Sequence, residues 1–142
     1  MKKTTVVIFA ALIAGVTVFE SCKKYEEGPG LSLRSRKERV ANTWEIEKVL
    51  VGGVEQTNPS SETVTFDKDG KVSSTFNGTT FEGTWELTND DEQIEVKITF
   101  NGISSTSSYK IIKLKEKEFW IRDENDANDS SDDVETHYEP AD

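Results

Sequence analysis

An all-β domain of eight short antiparallel strands closed into an up-and-down barrel, with one short N-terminal helix, is the fold class this sequence predicts. Three observations carry the prediction. From Thr43 onward apolar residues recur at every second position, the period of strands with one buried and one wet face. The runs are separated by turn chemistry: Asn77-Gly78 and Asn101-Gly102, whose tolerance of positive φ makes them strong hairpin signals, with Asp67-Lys68-Asp69-Gly70 and Asn89-Asp90-Asp91 between other runs. Eight such runs in a meander imply a barrel or a two-sheet sandwich, and the barrel is preferred because closure removes exposed strand edges.

The elements follow in order. Leu33, Val40 and Ala41 lie in a charged stretch, 33–41, that suits a short helix closing one end of the barrel. In the first strand, 43–51, Trp44 and Ile46 share one face while Val49 and Val51 share the other, so a bulge is expected near Glu47 or Lys48. Val64 with Phe66 and Val72 with Phe76 mark strands at 61–67 and 70–76. The alternation is cleanest at 79–88, where Phe81, Gly83, Trp85 and Leu87 interleave with Thr80, Glu82, Thr84 and Glu86. It is equally regular at 92–100, where Ile94, Val96, Ile98 and Phe100 define the apolar face. Strands at 103–114, 117–123 and 133–139 complete the set.

Composition limits what such a domain does. The 142 residues are enough for one ordinary domain, assigned to 37–142, and the formal charge of -10 argues against nucleic acid, which needs clustered Lys and Arg. One Cys excludes an internal disulfide, and one Cys with one His cannot build a common zinc site.

The N-terminal segment has a different character. Lys2 and Lys3 precede a fourteen-residue uncharged run, Val6 to Phe19, of the length of a secretory apolar region and too short for a comfortable membrane span. Phe19-Glu20-Ser21-Cys22 follows, and the small Ser21 directly before the lone Cys resembles the lipobox of Gram-negative lipoproteins. The resemblance implies a signal peptide over 1–21, cleavage before Cys22, acylation of Cys22 (palmitate among the chains), and a flexible tether over 22–36 that contains Gly28-Pro29-Gly30. The protein is then expected in the cell envelope, lipid-anchored to the outer membrane without a spanning helix, since more than one acyl chain gives stable anchoring. Arg34, Arg36, Lys37 and Arg39 could touch anionic headgroups close to the anchor, but because Glu38 interrupts their charge they are read first as the polar face of the short helix.

A second resemblance covers residues 40–139. Asn42-Thr43-Trp44-Glu45-Ile46 is similar to the Gly-x-Trp opening of lipocalins, with Asn42 in the place of Gly, and Gly83-Thr84-Trp85-Glu86-Leu87 restates it. With Phe66-Asp67-Lys68-Asp69-Gly70-Lys71, Tyr109-Lys110-Ile111 and His137-Tyr138, the series resembles lipocalin-like domains of small bacterial lipoproteins.

No catalytic set is expected. His137 is the sole imidazole and is read as a partly exposed strand residue, and Glu45, Glu82, Glu86 and Glu95 fall on the polar phase of their strands. No metal or cofactor is expected either: the acidic stretch Asp123–Asp133 lacks the Gly of an EF-hand loop and reads as a long solvated connection. The aromatic set is the candidate site. Trp44, Phe66, Phe76, Trp85, Phe100 and Tyr109 are assigned to the wall of a ligand cavity, with Trp44 the more structural and Trp85 the better wall. Eight strands enclose either a packed core or room for one small molecule. Two functions follow: a binding module for a small apolar molecule, or an accessory subunit with a filled barrel that engages an envelope protein.

Overall fold

The structure is a computed structural model and describes residues 33–123 and 130–142. The expected signal peptide 1–21, Cys22, most of the 22–36 tether and 124–129 of the acidic connection lie outside the described residues. Helix α1 (Arg36–Val40) leads into β1 (Thr43–Val51), β2 (Val54–Glu55), β3 (Glu62–Phe66), β4 (Lys71–Phe76) and β5 (Thr79–Thr88). After these come β6 (Gln93–Phe100), β7 (Ile103–Leu114), β8 (Phe119–Asp123) and β9 (Val134–Pro140). Every strand pairing is antiparallel, from β3 round to β9, and β9 closes the barrel against β1 from Trp44↔Pro140 to Val51↔Val134.

Eight strands therefore form the barrel, each beginning or ending within two residues of its sequence expectation. The short β2 is an addition: Gly52 and Gly53, at φ +55° and +79°, turn the chain so that Val54-Glu55 folds back on Leu50-Val51. Gly-Gly is a two-residue hairpin signal that the alternation reading passed over. The Asn77-Gly78 and Asn101-Gly102 turns hold both residues at positive φ, as expected. Asn42 is not among the positive-φ residues, so nothing at that position requires the glycine of the lipocalin opening.

Two bulges set the phase of the wall. The register shift between Ile46 and Lys48 carries Val49 and Val51 opposite Thr136 and Val134, as the change of apolar phase in β1 predicts. The other, between Ile111 and Lys113, was not expected; it lets Ile111 and Leu114 both reach the core while Lys113 stands opposite Trp120 on the outer face. Gly83 permits the tight approach of β5 to β6. A Cβ there would lie 1.9 Å from the Lys97 carbonyl oxygen, so any side chain must push the two strands apart.

The barrel has one filled end. Trp44, Phe119, Ile94, Leu114 and Val40 are fully buried there. Aromatic rings pack in series, Trp44 to Phe119 at 5.5 Å, Phe119 to Phe66 at 6.0 Å and Phe66 to Trp85 at 5.4 Å between centroids. Helix α1 lies over this end, shorter than expected because Ser35 is its N-cap: the Ser35 hydroxyl accepts from the Glu38 amide and the Glu38 carboxylate accepts from the Ser35 amide. Leu33 consequently precedes the helix and is exposed.

Candidate functional site

The opposite end is hollow. Strand direction decides which residues stand there: β3 runs from the open end at Glu62 down to Phe66, and β4 returns from Val72 to Phe76. Period two fixes which face a residue occupies, and position along the strand fixes whether that face meets the plug or the space above it. The result is a half-open cavity of about 500 Å³. That lies within the range of small-molecule sites, and the lining is mostly apolar, as such sites are. Phe66 forms part of its floor; Val64, Val72, Val96, Ile98 and Ile121 form its walls; Phe76 and Phe81 stand near its mouth.

The six side chains assigned to the wall divide evenly. Phe66, Phe76 and Tyr109 line the cavity. Trp44, Trp85 and Phe100 do not. Trp44 is plugged beneath α1, where its Nε1 donates to the Val40 carbonyl at 2.9 Å. Trp85, expected as a wall, is its counterpart on the other side of the plug: its Nε1 donates to the Asp67 carbonyl at 3.0 Å, and its ring meets Phe66 edge-on. Each indole N–H is thus consumed by a backbone carbonyl of a closing element, which fixes the ring at the sealed end. The β3–β4 turn that receives Trp85 is itself held by Asp67, whose carboxylate accepts from the amides of Asp69 and Lys71. Phe100 sits on the rim, 49% exposed, with its ring 5.2 Å from Phe81.

The cavity also holds polar groups that the sequence reading missed. Glu62, Ser74, Asp123, Thr136 and Tyr138 all line it, and the Ser74 hydroxyl donates to the Glu62 carboxylate. Burial, and after it the nearby Glu62 and Tyr109, push the Tyr138 hydroxyl well above the ordinary tyrosine value, so it keeps its proton. Glu62 was legible in principle: it shares the inward phase of Val64 and Phe66, one step nearer the mouth.

A second cluster lies on the outer face. His137, expected to be partly exposed, is buried: its ring stacks on Trp120 at 3.8 Å with an interplanar angle of 2°, and Nε2 lies 2.6 Å from the Glu135 carboxylate. Lys113 Nζ stands 3.9 Å above the same indole and donates to Glu118 at 2.9 Å. Arg122 contacts Glu135 at 2.7 Å. Burial pushes the Glu135 carboxyl up, but hydrogen bonds from His137 and Arg122 outweigh it and hold it below the usual range. The arrangement braces β7, β8 and β9 from outside. Among the described residues no group of His, Cys, Asp and Glu is placed to hold a metal ion, and no helix is long and apolar enough to cross a membrane.

Comparison with known proteins agrees with this architecture. The solution NMR structure of a protein from Bacteroides uniformis ATCC 8492 is similar in fold, with a TM-score of 0.52 and 18% sequence identity over 73% of this chain and 90% of that one. No curated protein matches. The model of a family described as a C-terminal lipocalin-like domain matches residues 24–130, and on that match the chain belongs to the C-terminal lipocalin-like domain family.

Proposed function

We propose that this protein is a non-catalytic binding module that holds a small, largely apolar molecule in the open half of its barrel. The observation that supports this best is the cavity itself. A barrel of this size can be filled by its own side chains, yet here the filling stops at the level of Phe66 and leaves about 500 Å³ above it. Native mass spectrometry of the protein purified from its own cells tests the reading. A small-molecule adduct is expected on the wild type and absent from Ile98→Trp, whose larger side chain occupies the space. An adduct-free wild type that also binds no apolar fluorophore would overturn the proposal.

The module's address is part of the same proposal. Ser21-Cys22 after an uncharged run supports acylation at Cys22 and anchoring to the outer membrane of a Gram-negative cell, with 22–36 as the tether to a barrel over 37–142. Cys22→Ala is expected to abolish labelling by a fatty-acid analogue and to release the protein from membranes. Unlabelled wild type at full expression would refute the anchor.

One observation favours a second reading, an accessory subunit docked on an envelope protein. Val51, Val54, Phe76, Phe100 and Ile103 are exposed apolar side chains, and all of them lie at the open end. Crosslinking from residue 103 in cells, with capture of one defined envelope protein, would favour this role over free ligand carriage.

A further inference from the structure

The geometry points to a ligand whose polar head is a hydrogen-bond donor without negative charge, a primary ammonium being the best match, seated among Tyr138, Glu62 and Tyr109 with its apolar body against Phe66, Val96 and Ile98. This rests on the binding-module reading and narrows it to a ligand class.

Three observations carry the inference. First, the cavity lining contains two carboxylates, Glu62 and Asp123, and no Lys, Arg or His. Neither carboxylate has an ion-pair partner among the described residues. A fatty acid would bring a third anion into an apolar-walled space, where charges of one sign repel more strongly than in bulk water. Second, Tyr138 is 9% exposed and lines the cavity, yet its hydroxyl has no hydrogen-bond partner among the described residues. A hydroxyl that faces the cavity without a protein partner has its bonding capacity open to a ligand atom placed there. Third, the remaining capacity of the station is mostly for accepting. Glu62 takes one hydrogen bond from Ser74 and keeps further lone pairs, and the hydroxyl oxygens of Tyr138 and Tyr109 accept as well as donate. An ammonium group offers three donors and a positive charge to that set, an alcohol offers one donor, and a carboxylate offers none.

Three ten-carbon probes with the same tail decide the matter: decylamine, protonated at pH 7, decanol and decanoate, each titrated against the purified full chain by displacement of an apolar fluorophore. Decylamine is expected to bind tightest and decanoate weakest, with roughly tenfold or more between them, because charge-assisted hydrogen bonds are the strong ones. Glu62→Gln is expected to remove most of that ratio, whereas Glu86→Gln on the exposed outer face leaves it intact, which separates a local effect from the net charge of -10. Should Glu62→Gln not fold, the wild-type ranking decides alone. Decanoate binding as tightly as decylamine, or an unchanged ratio in folded Glu62→Gln, overturns this inference and leaves the binding module standing. No binding by any probe or by the fluorophore overturns both.

Discussion

The two halves of this barrel are built from the same strands with the same alternation, and they do opposite things. At the sealed end the inward positions carry Trp44, Trp85, Ile94, Leu114 and Phe119, closed over by α1 and Val40. At the open end the inward positions on the same strands carry Ile46, Phe81, Ile98, Tyr109 and Ile121, and they surround space. Side-chain size is part of the difference, but closure matters more. Trp44 is locked by a hydrogen bond to Val40 in the helix that lies over the sealed end, and Trp85 by one to the β3–β4 turn, whereas the described Asn77-Gly78 and Asn101-Gly102 hairpins at the open end hold no such ring. The wall itself is least continuous on the open side, where β1 pairs with β3 only over Thr43–Glu45 before diverging. A plug that sets the stability and a hollow that is free to vary is a division of labour suited to a binding scaffold.

The sharpest way to break the comparison is to remove the plug. Trp44→Ala and Trp85→Ala are each expected to cost about 3–5 kcal/mol, the usual range for a large buried aromatic. That is a large share of a total of roughly 5–15 kcal/mol, so urea melts should show variants that are marginal or unfolded. A loss below 1 kcal/mol in Trp85→Ala would mean that the sealed half extends no further than Trp44.

Next is the strand approach that shapes both halves. Gly83→Ala places a methyl where the Lys97 carbonyl stands, and the remedy is to separate β5 from β6. Overpacking of this kind costs on the order of 1–3 kcal/mol, and local loosening should show as faster amide exchange at Thr84 and Lys97.

Much of this was legible in the sequence, and the reason for the remainder is specific. Period two places Phe66, Phe76, Trp85 and Trp44 on the inward face correctly, and the phase change in β1 reveals its bulge. What alternation cannot supply is depth along the barrel axis. Trp85 and Phe81 share one strand and one face, yet one is plug and the other rim, because depth depends on how strands are staggered after closure. The outer cluster escaped for a related reason: Trp120 and His137 are distant in sequence and meet only through the β8–β9 register.

That outer brace offers a smaller perturbation with a pH signature. Glu135 titrates below its ordinary value in the folded protein, so its contribution is present above the unfolded pKa near 4.5 and is lost as pH falls through the lowered folded value. Glu135→Gln should therefore be less stable than wild type at pH 7 by roughly 2 kcal/mol, the scale of hydrogen bonds to a charged group. The gap should narrow as pH falls below 4.5 toward 3. A gap constant from pH 7 to 3 would show that the Glu135 charge is not what ties Arg122 and His137 together.

The smallest expected effect on stability is also the most informative about the hollow half. Phe76 lines the cavity but is 38% exposed, so truncating it removes limited buried area and leaves no sealed void. Phe76→Ala should cost about 1 kcal/mol or less, against several for either tryptophan. Its effect on an apolar ligand should be larger in proportion, because the ring supplies wall near the mouth and a bound molecule would lose that contact outright. Parallel measurement of urea midpoints and fluorophore affinity for Phe76→Ala and Trp44→Ala therefore separates two architectures. If the halves are independent, affinity falls in Phe76→Ala with stability nearly unchanged. If Phe76→Ala destabilises as much as Trp44→Ala, the upper half is packed tightly enough to count as core, and the hollow would have to be regarded as closed in solution.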